Sequence, residues 1–362
     1  NMFVPYKDEA ERLQKAVDDQ GYIVAEFASH NDISGEVRGR PEKISKYASD
    51  VVPDCNVLIL PLPSFAYQDV LSEIKPHIQK GTYIGATPGQ GGFDWFAKEA
   101  LGDVVDDVVL FSILPMPFNC RIVDFGKRVY VQEFKRRYKV GAHPFECCQG
   151  AVAITQKLFG YAESCGHSLS CSLYPINAVI HPARLYALCK DWQEGDLFKE
   201  NPLFYEDMND ESTDLMDAVS VELRDIARAL EDKGVTGVNV PHIKDFLAGY
   251  VYQDTSPTLK TFFTSSHAYK GFRCPFVPLG DGWVPDFTNR YFTEDIPLGL
   301  CLYKGVAEIA EVETPVMDKI LTWAQNHMQK EYLISGRLKG RDVGETASPQ
   351  RFGIITIEQL TD

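Results

Sequence analysis

The chain has 362 residues, enough for two hydrophobic cores rather than one. Its 44% hydrophobic and 24% charged residues are those of a globular protein, and no run approaches the roughly 18 apolar residues of a membrane-spanning helix. Against 36 Lys+Arg stand 51 Asp+Glu, and the net charge of −15 repels phosphate backbones, which makes nucleic acid a poor partner.

The first residues, NMFVPYKDEAERLQKAV, read as the tail of a strand followed by a helix with Ala10, Leu13 and Val17 on one face, so the chain is expected to open in mid-motif. Short strands are expected at YIVAEF and GEVRG. The apolar run CNVLILPLP, residues 55–63, has the pattern of a buried parallel strand ending at prolines. SFAYQDVLSEIKPHI follows as an amphipathic helix with Ser64 as its N-cap. Next come a strand running into a Gly/Pro turn (GTYIGATPG), a helix (GGFDWFAKEAL) and a strand (VVLFSILPMP). That alternation predicts a parallel sheet covered by helices.

Beyond residue 120 the pattern turns antiparallel in CRIVDFGKRVYVQEF, with DFGKR as the hairpin turn. A first domain over 1–165 and a second over 166–362 are expected from the change of pattern alone, since no linker or repeat marks the boundary. Past His181 long helices dominate. In STDLMDAVSVELRDIARALEDKG, Leu215, Val219, Leu223, Ile226 and Leu230 form one stripe and Gly234 supplies the stop. ETPVMDKILTWAQNHM is another helix, with Thr314 as cap and Pro315 at its first position. The fold class is therefore α/β in the first half and mainly α-helical in the second.

Nine cysteines occur without a C-x-x-C pair, and an odd number cannot all pair within one chain. Most read as small buried hydrophobes, reduced as in a cytosolic protein. No secretory signal precedes the charged helix at Lys7-Asp8-Glu9, which predicts either a cytoplasmic protein or one whose true N-terminus lies upstream.

Ligands of α/β sheets sit beyond the carboxyl ends of the strands. Two segments have the composition for that edge, LPSFAYQ (62–68) and TPGQGG (87–92). Pro63, Phe65 and Ala66 in the first are candidate cofactor contacts, and Gln90 in the second offers an amide; taken singly, each segment is more simply a strand-to-helix turn. The run G-x-G-x-x-G occurs nowhere. In PDFTNRYFTEDIPLGL (285–300) Arg290 precedes two acids, Glu294 and Asp295, and then Pro297. The plain reading is acids at a helix N-terminus with an arginine paired to one of them. The sharper one is an arginine that clamps a substrate carboxylate while an acid orients a histidine. His181, before Pro182 in the mostly apolar INAVIHPARLY, is either a satisfied core histidine or that group. His242 and His267 have no comparable segment to pair with, and no metal-ligand spacing stands out, so no metal is expected.

NAVIHP (177–182), AYKG (268–271), PDFTNRYFTEDIPLG (285–299), TPVMDKILTWAQ (314–325) and SPQRFG (348–353) together resemble the opine dehydrogenases, most of all their octopine-forming branch in marine invertebrates. The likeness runs through essentially the whole chain. It implies an N-terminal Rossmann-type domain for NADH and a helical C-terminal domain for an amino acid and a 2-oxo acid such as pyruvate. It also implies the reaction: the two condense and NADH reduces the imine, which regenerates NAD. By position, His181 matches the catalytic acid/base, Asp295 its carboxylate partner and Arg290 the clamp on the oxo acid. Gln90 and Cys120 match positions lining the cleft.

Two departures stand out. Members of that family begin with a strand and a glycine-rich turn that cradles the pyrophosphate, which this sequence does not contain. Pro115 stands where close relatives carry a polar residue, so the amino acid used is left open. VPYKD lacks the acid expected for a ribose 2′-hydroxyl, and Lys7 is compatible with a 2′-phosphate. The competing readings are a cofactor-free binding or structural relative and, more weakly, a dehydrogenase of the glycerol-phosphate or ketopantoate type, families that lack NRYFTEDIP.

Overall fold

A computed structural model describes residues 1–33 and 35–361. The chain divides into two compact units. One comprises Asn1–Leu62, Ala66–Pro88 and Phe96–Glu163; the other comprises Pro63–Phe65, Gly89–Trp95 and Ser164–Asp362. Among the described residues no helix is long and apolar enough to cross a membrane.

In the first unit, β1 (Met2–Phe3) leads into α1 (Glu9–Gln20), β2 (Ile23–Phe27), β3 (Gly35–Gly39), β4 (Ile44–Ser45), α2 (Ala48–Val51) and β5 (Val57–Leu60). Then follow α3 (Tyr67–Ile74), β6 (Tyr83–Ala86), α4 (Phe93–Leu101) and β7 (Val109–Leu114). The hairpin β8 (Phe118–Asp124) and β9 (Arg128–Phe134), β10 (Arg137–His143), α5 (Cys148–Phe159) and β11 (Tyr161–Ser164) complete the series.

The Val/Ile/Leu runs of β5, β6 and β7 pair in parallel, with Leu58 opposite Ile84 and Ile84 opposite Leu110, inside a sheet of order β11-β10-β7-β6-β5. Its core joins Val109, Phe111 and Ile113 of β7 to Tyr138 and Val140 of β10 and to Ala151 and Val152 of α5. Gly85 is required there, because a Cβ on it would overlap the Phe111 ring.

Three expectations need correction. The run 55–63 is not buried on both faces: β5 is the sheet's last strand, and only Leu60 is fully buried. The strands at 23–27 and 35–39 do not join the parallel sheet, but form a separate one of order β3-β2-β9-β8. The hairpin leaves one edge of β9 unpaired, and β2 fills it in parallel, Ala25 against Val129. Ser64 is not a helix cap. It opens a single 3-10 turn, Ser64–Ala66, so that Ala66 precedes α3 and no side chain caps that helix.

The second unit is mainly helical. Its chief elements are α6 (Leu169–Leu173), α7 (Asn177–Cys189), α8 (Asp210–Asp232), α9 (Leu259–Ser265), α10 (Arg290–Thr293), α11 (Cys301–Ala310) and α12 (Pro315–His327). In α8 Val219, Leu223, Ile226 and Leu230 are buried as expected, while Met216 takes the buried place assigned to Leu215, which is half-buried. Gly234 ends the helix region at φ 92°, a left-handed conformation that costs glycine little. Thr314 does precede α12 and Pro315 does open it, but the Thr314 hydroxyl accepts from Lys304 Nζ instead of capping. The first amides of α12, Val316 and Met317, donate to the buried carboxylate of Glu222 at 2.7 and 3.0 Å.

Candidate active site

His181 lies in the second turn of α7, directly before a proline inside the helix. Pro182 has no N–H to give the helix ladder, which marks the turn around His181 as irregular. The histidine is buried, 5% exposed. Its Nδ1 lies 2.7 Å from Asp295 Oδ2, with the aspartate 6% exposed, and its Nε2 lies 3.2 Å from the Tyr205 hydroxyl. Tyr291 stacks on the ring at 3.9 Å and 17°, and Phe204 meets it at 5.4 Å and 84°.

The segment 289–300 explains how the acid reaches the histidine. Asn289 caps α10 by accepting from the Tyr291 amide, and the chain then widens into a π-helical turn, Ile296–Leu300, in which Leu300 N–H donates to Asp295 O. Such widened turns recur at functional sites because they re-aim the preceding side chains. Gly299 lets this turn touch α7, since a Cβ on it would overlap the Cβ of Ala178, one turn from His181. With any larger residue at 299, the turn or α7 would have to shift.

Glu294, next to Asp295, is also buried at 7%, and accepts the Ser64 amide at 3.2 Å. Burial raises its carboxyl above the ordinary glutamate range, and the neighbouring Asp295 charge adds to the rise. Arg290 is 66% exposed along its side chain, with Nε 3.8 Å from Glu294. That contact is through Nε, not through the two terminal nitrogens, the pair that grips a carboxylate bidentately. Ser64, Gln90, Gly91, Glu294, Asp295 and Tyr303 line a narrow cleft.

The structure therefore brings His181, Asp295, Arg290 and Gln90 into one unit. Pro63 and Phe65 belong to the same unit, whereas Ala66 and Cys120 belong to the other. Cys120 is exposed on β8 beside a strand irregularity. At the carboxyl end of β6 Thr87 Oγ1 is buried with no hydrogen-bond partner, as is Gln68 Oε1 in the first turn of α3, the helix that follows β5. Those are the ends of parallel strands where α/β sheets bind ligands, and orphaned polar atoms there suit a polar ligand. Among the described residues no His/Cys/Asp/Glu group has the arrangement to hold a metal. None of the nine cysteines forms a disulfide. His242 does find an acid, Asp217 at 3.5 Å.

Sequence reasoning missed Tyr205, Tyr291 and the pairing of Ser64 with Glu294. Tyr291 and Glu294 sit inside the segment already singled out, where neighbourhood alone pointed to them. Tyr205, in the loop NPLFYEDM, carries no local signal: its role arises from where the loop returns.

Residues 164–328 match the sequence profile of the NAD/NADP octopine/nopaline dehydrogenase α-helical domain. The chain is 33% identical to a tauropine dehydrogenase of Arabella iricolor over 98% of its own length and 91% of the relative's. It is 32% identical to an octopine dehydrogenase of Pecten maximus over 98% and 90% of the two lengths. An octopine dehydrogenase structure with NADH and L-arginine superposes with a TM-score of 0.86 at 31% identity, covering 99% of this chain and 90% of that one.

Proposed function

The chain belongs to the opine dehydrogenase family, and from that premise we propose that it condenses an amino acid with a 2-oxo acid such as pyruvate and reduces the product with NADH. The observation that carries the reading is the buried pair of His181 and Asp295 beside an exposed arginine fork. The alternative of a cofactor-free binding protein finds no support in the relatives named above, which are dehydrogenases, nor in the orphaned polar atoms at the carboxyl edge of the parallel strands.

Residues 1–165 serve as the cofactor domain and 166–362 as the substrate domain. Pro63, Phe65 and Ala66 contact the cofactor. Thr87 and Gln68 fit a polar dinucleotide at the same strand ends. The cofactor supplies a hydride when bound. Everything else falls to the chain's own side chains. Arg290 binds the 2-oxo acid carboxylate through its two terminal nitrogens, which fixes the carbonyl. Condensation requires one proton to leave the substrate ammonium and one to join the hydroxyl that departs as water. His181 Nε2 takes the first and returns it, so the proton count is unchanged. Asp295 accepts from Nδ1–H, which fixes the tautomer with Nε2 as the working nitrogen and stabilises the imidazolium between the two transfers. Gln90 and Cys120 contact the substrates. Nine cysteines, all reduced thiols, support a cytoplasmic location.

The test is NADH oxidation with pyruvate and, in turn, arginine, glycine, alanine, taurine and a β-amino acid. One or more must support turnover, and Arg290→Ala must raise the KM for pyruvate more than that for the amino acid. No turnover with any pair, or an unchanged KM for pyruvate, refutes the reading.

A further inference from the structure

Both nitrogens of the His181 imidazole have partners, and two aromatic rings pack on it. Asp295 holds Nδ1, Tyr291 covers one face, the Phe204 ring stands edge-on, and the Tyr205 hydroxyl lies 3.2 Å from Nε2. A proton moving between His181 and a substrate must leave through Nε2, because Nδ1 faces the aspartate. Tyr205 stands at that outlet.

Tyr205 does not swing aside. It is 6% exposed and packed between rings: Tyr269 at 4.4 Å, Phe204 at 4.8 Å, Phe263 at 5.6 Å and Phe272 at 5.9 Å. Close-packed interiors leave no room for a large rotation. Its backbone is tethered as well. Arg184, one turn along α7 from His181 and fully buried, donates to the carbonyls of Phe204 at 3.0 Å and Leu203 at 3.4 Å. The helix that carries the histidine thus also fixes the loop that carries the tyrosine.

Building on the reading of His181 as acid/base, we propose that Tyr205 relays the proton between His181 Nε2 and the substrate, so that Asp295, His181 and Tyr205 act as one chain. When the substrate ammonium gives up its proton to the phenol oxygen, the phenol passes its own proton to Nε2. On the return, Nε2–H reprotonates the phenol as the phenol proton joins the departing hydroxyl, which leaves as water. The phenol is neutral at both ends, no bond to carbon is made, and no proton is gained or lost. A phenol that stays protonated is what such a relay needs. Burial, followed by the neighbouring Tyr291 and Tyr269, drives the Tyr205 hydroxyl well above its ordinary value of 10.0.

The experiment compares Tyr205→Phe and His181→Gln in the full chain under saturating substrates and NADH. Tyr205→Phe keeps the ring packing, so the thermal midpoint and the KM for NADH should be unchanged while kcat falls about 100-fold, the scale of a lost proton-transfer group. Wild-type kcat in Tyr205→Phe overturns the relay. A second measurement needs no variant: the rate of single-turnover condensation in mixtures of light and heavy water should curve with deuterium content, because two protons move together. A linear dependence overturns the relay even if the phenylalanine variant fails to fold. Full activity in His181→Gln would remove the underlying acid/base reading, whereas an inactive His181→Gln beside a fully active Tyr205→Phe would remove Tyr205 alone.

Discussion

Replacing Asp295 by asparagine probes the centre of the site at constant shape. The amide oxygen still accepts from His181 Nδ1–H at 2.7 Å, so the ring keeps its tautomer and orientation, and only the charge is lost. Both partners are nearly solvent-free, at 5% and 6% exposure, so water does not replace the missing charge. A hydrogen bond to a charged group contributes about 1.5–3 kcal/mol and a neutral one about 0.5–1.5, so the substitution removes about 1–1.5 kcal/mol. That difference is felt when the imidazolium forms, and at about 1.4 kcal/mol per factor of ten it predicts a kcat about 5- to 12-fold below wild type. Initial rates of NADH oxidation with saturating substrates read this directly. His181→Ala should lose more, and the double variant should lose little beyond His181→Ala, because residues that act as one unit are strongly non-additive. If the two losses multiply, or if Asp295→Asn runs at the wild-type rate, the aspartate is a helix-end acid that happens to touch a packed histidine, and the dyad is wrong.

Two further predictions concern stability. Lys304 is buried at 2% and pairs with Asp318 at 2.7 Å, so Asp318→Leu alone should cost about 3–5 kcal/mol in urea unfolding by stranding a buried charge. Adding Lys304→Met should restore most of it; a double variant as weak as the single would show that the ammonium is not the cause. Glu222 caps α12, yet burial raises its carboxyl above the ordinary 4.5, so the proton is held more tightly folded than unfolded. Its contribution is therefore fully present below 4.5 and declines as pH climbs through the raised value, and the stability of wild type relative to Glu222→Gln should fall across that window. A difference that does not change with pH would mean that the two amide bonds fully offset the burial.

Local pattern determined much of this protein. Apolar runs ending at Gly and Pro located β5, β6 and β7, and 3.6-residue periodicity located α8 and α12, because each pattern answers to one period of the backbone. The motifs also singled out His181, Arg290 and Asp295, and the family they resemble is the one to which the chain belongs. The residue pattern by itself could not say which of Glu294 and Asp295 meets the histidine, since adjacent residues in a regular helix are both candidates, and only the family resemblance pointed to Asp295. The π-helical turn and the contact of Gly299 with Ala178 decided it. Nor could it separate Leu215 from Met216, where a helix stripe tolerates rotation by one residue, or show that β2 would pair with β9, a choice made by which sheet edge lay open. Tyr205 was beyond reach altogether. Its hydroxyl meets Nε2 only because Arg184 ties a loop some twenty residues downstream back to the helix of His181, and contacts of that kind arise from three-dimensional packing and leave no periodic trace in the chain.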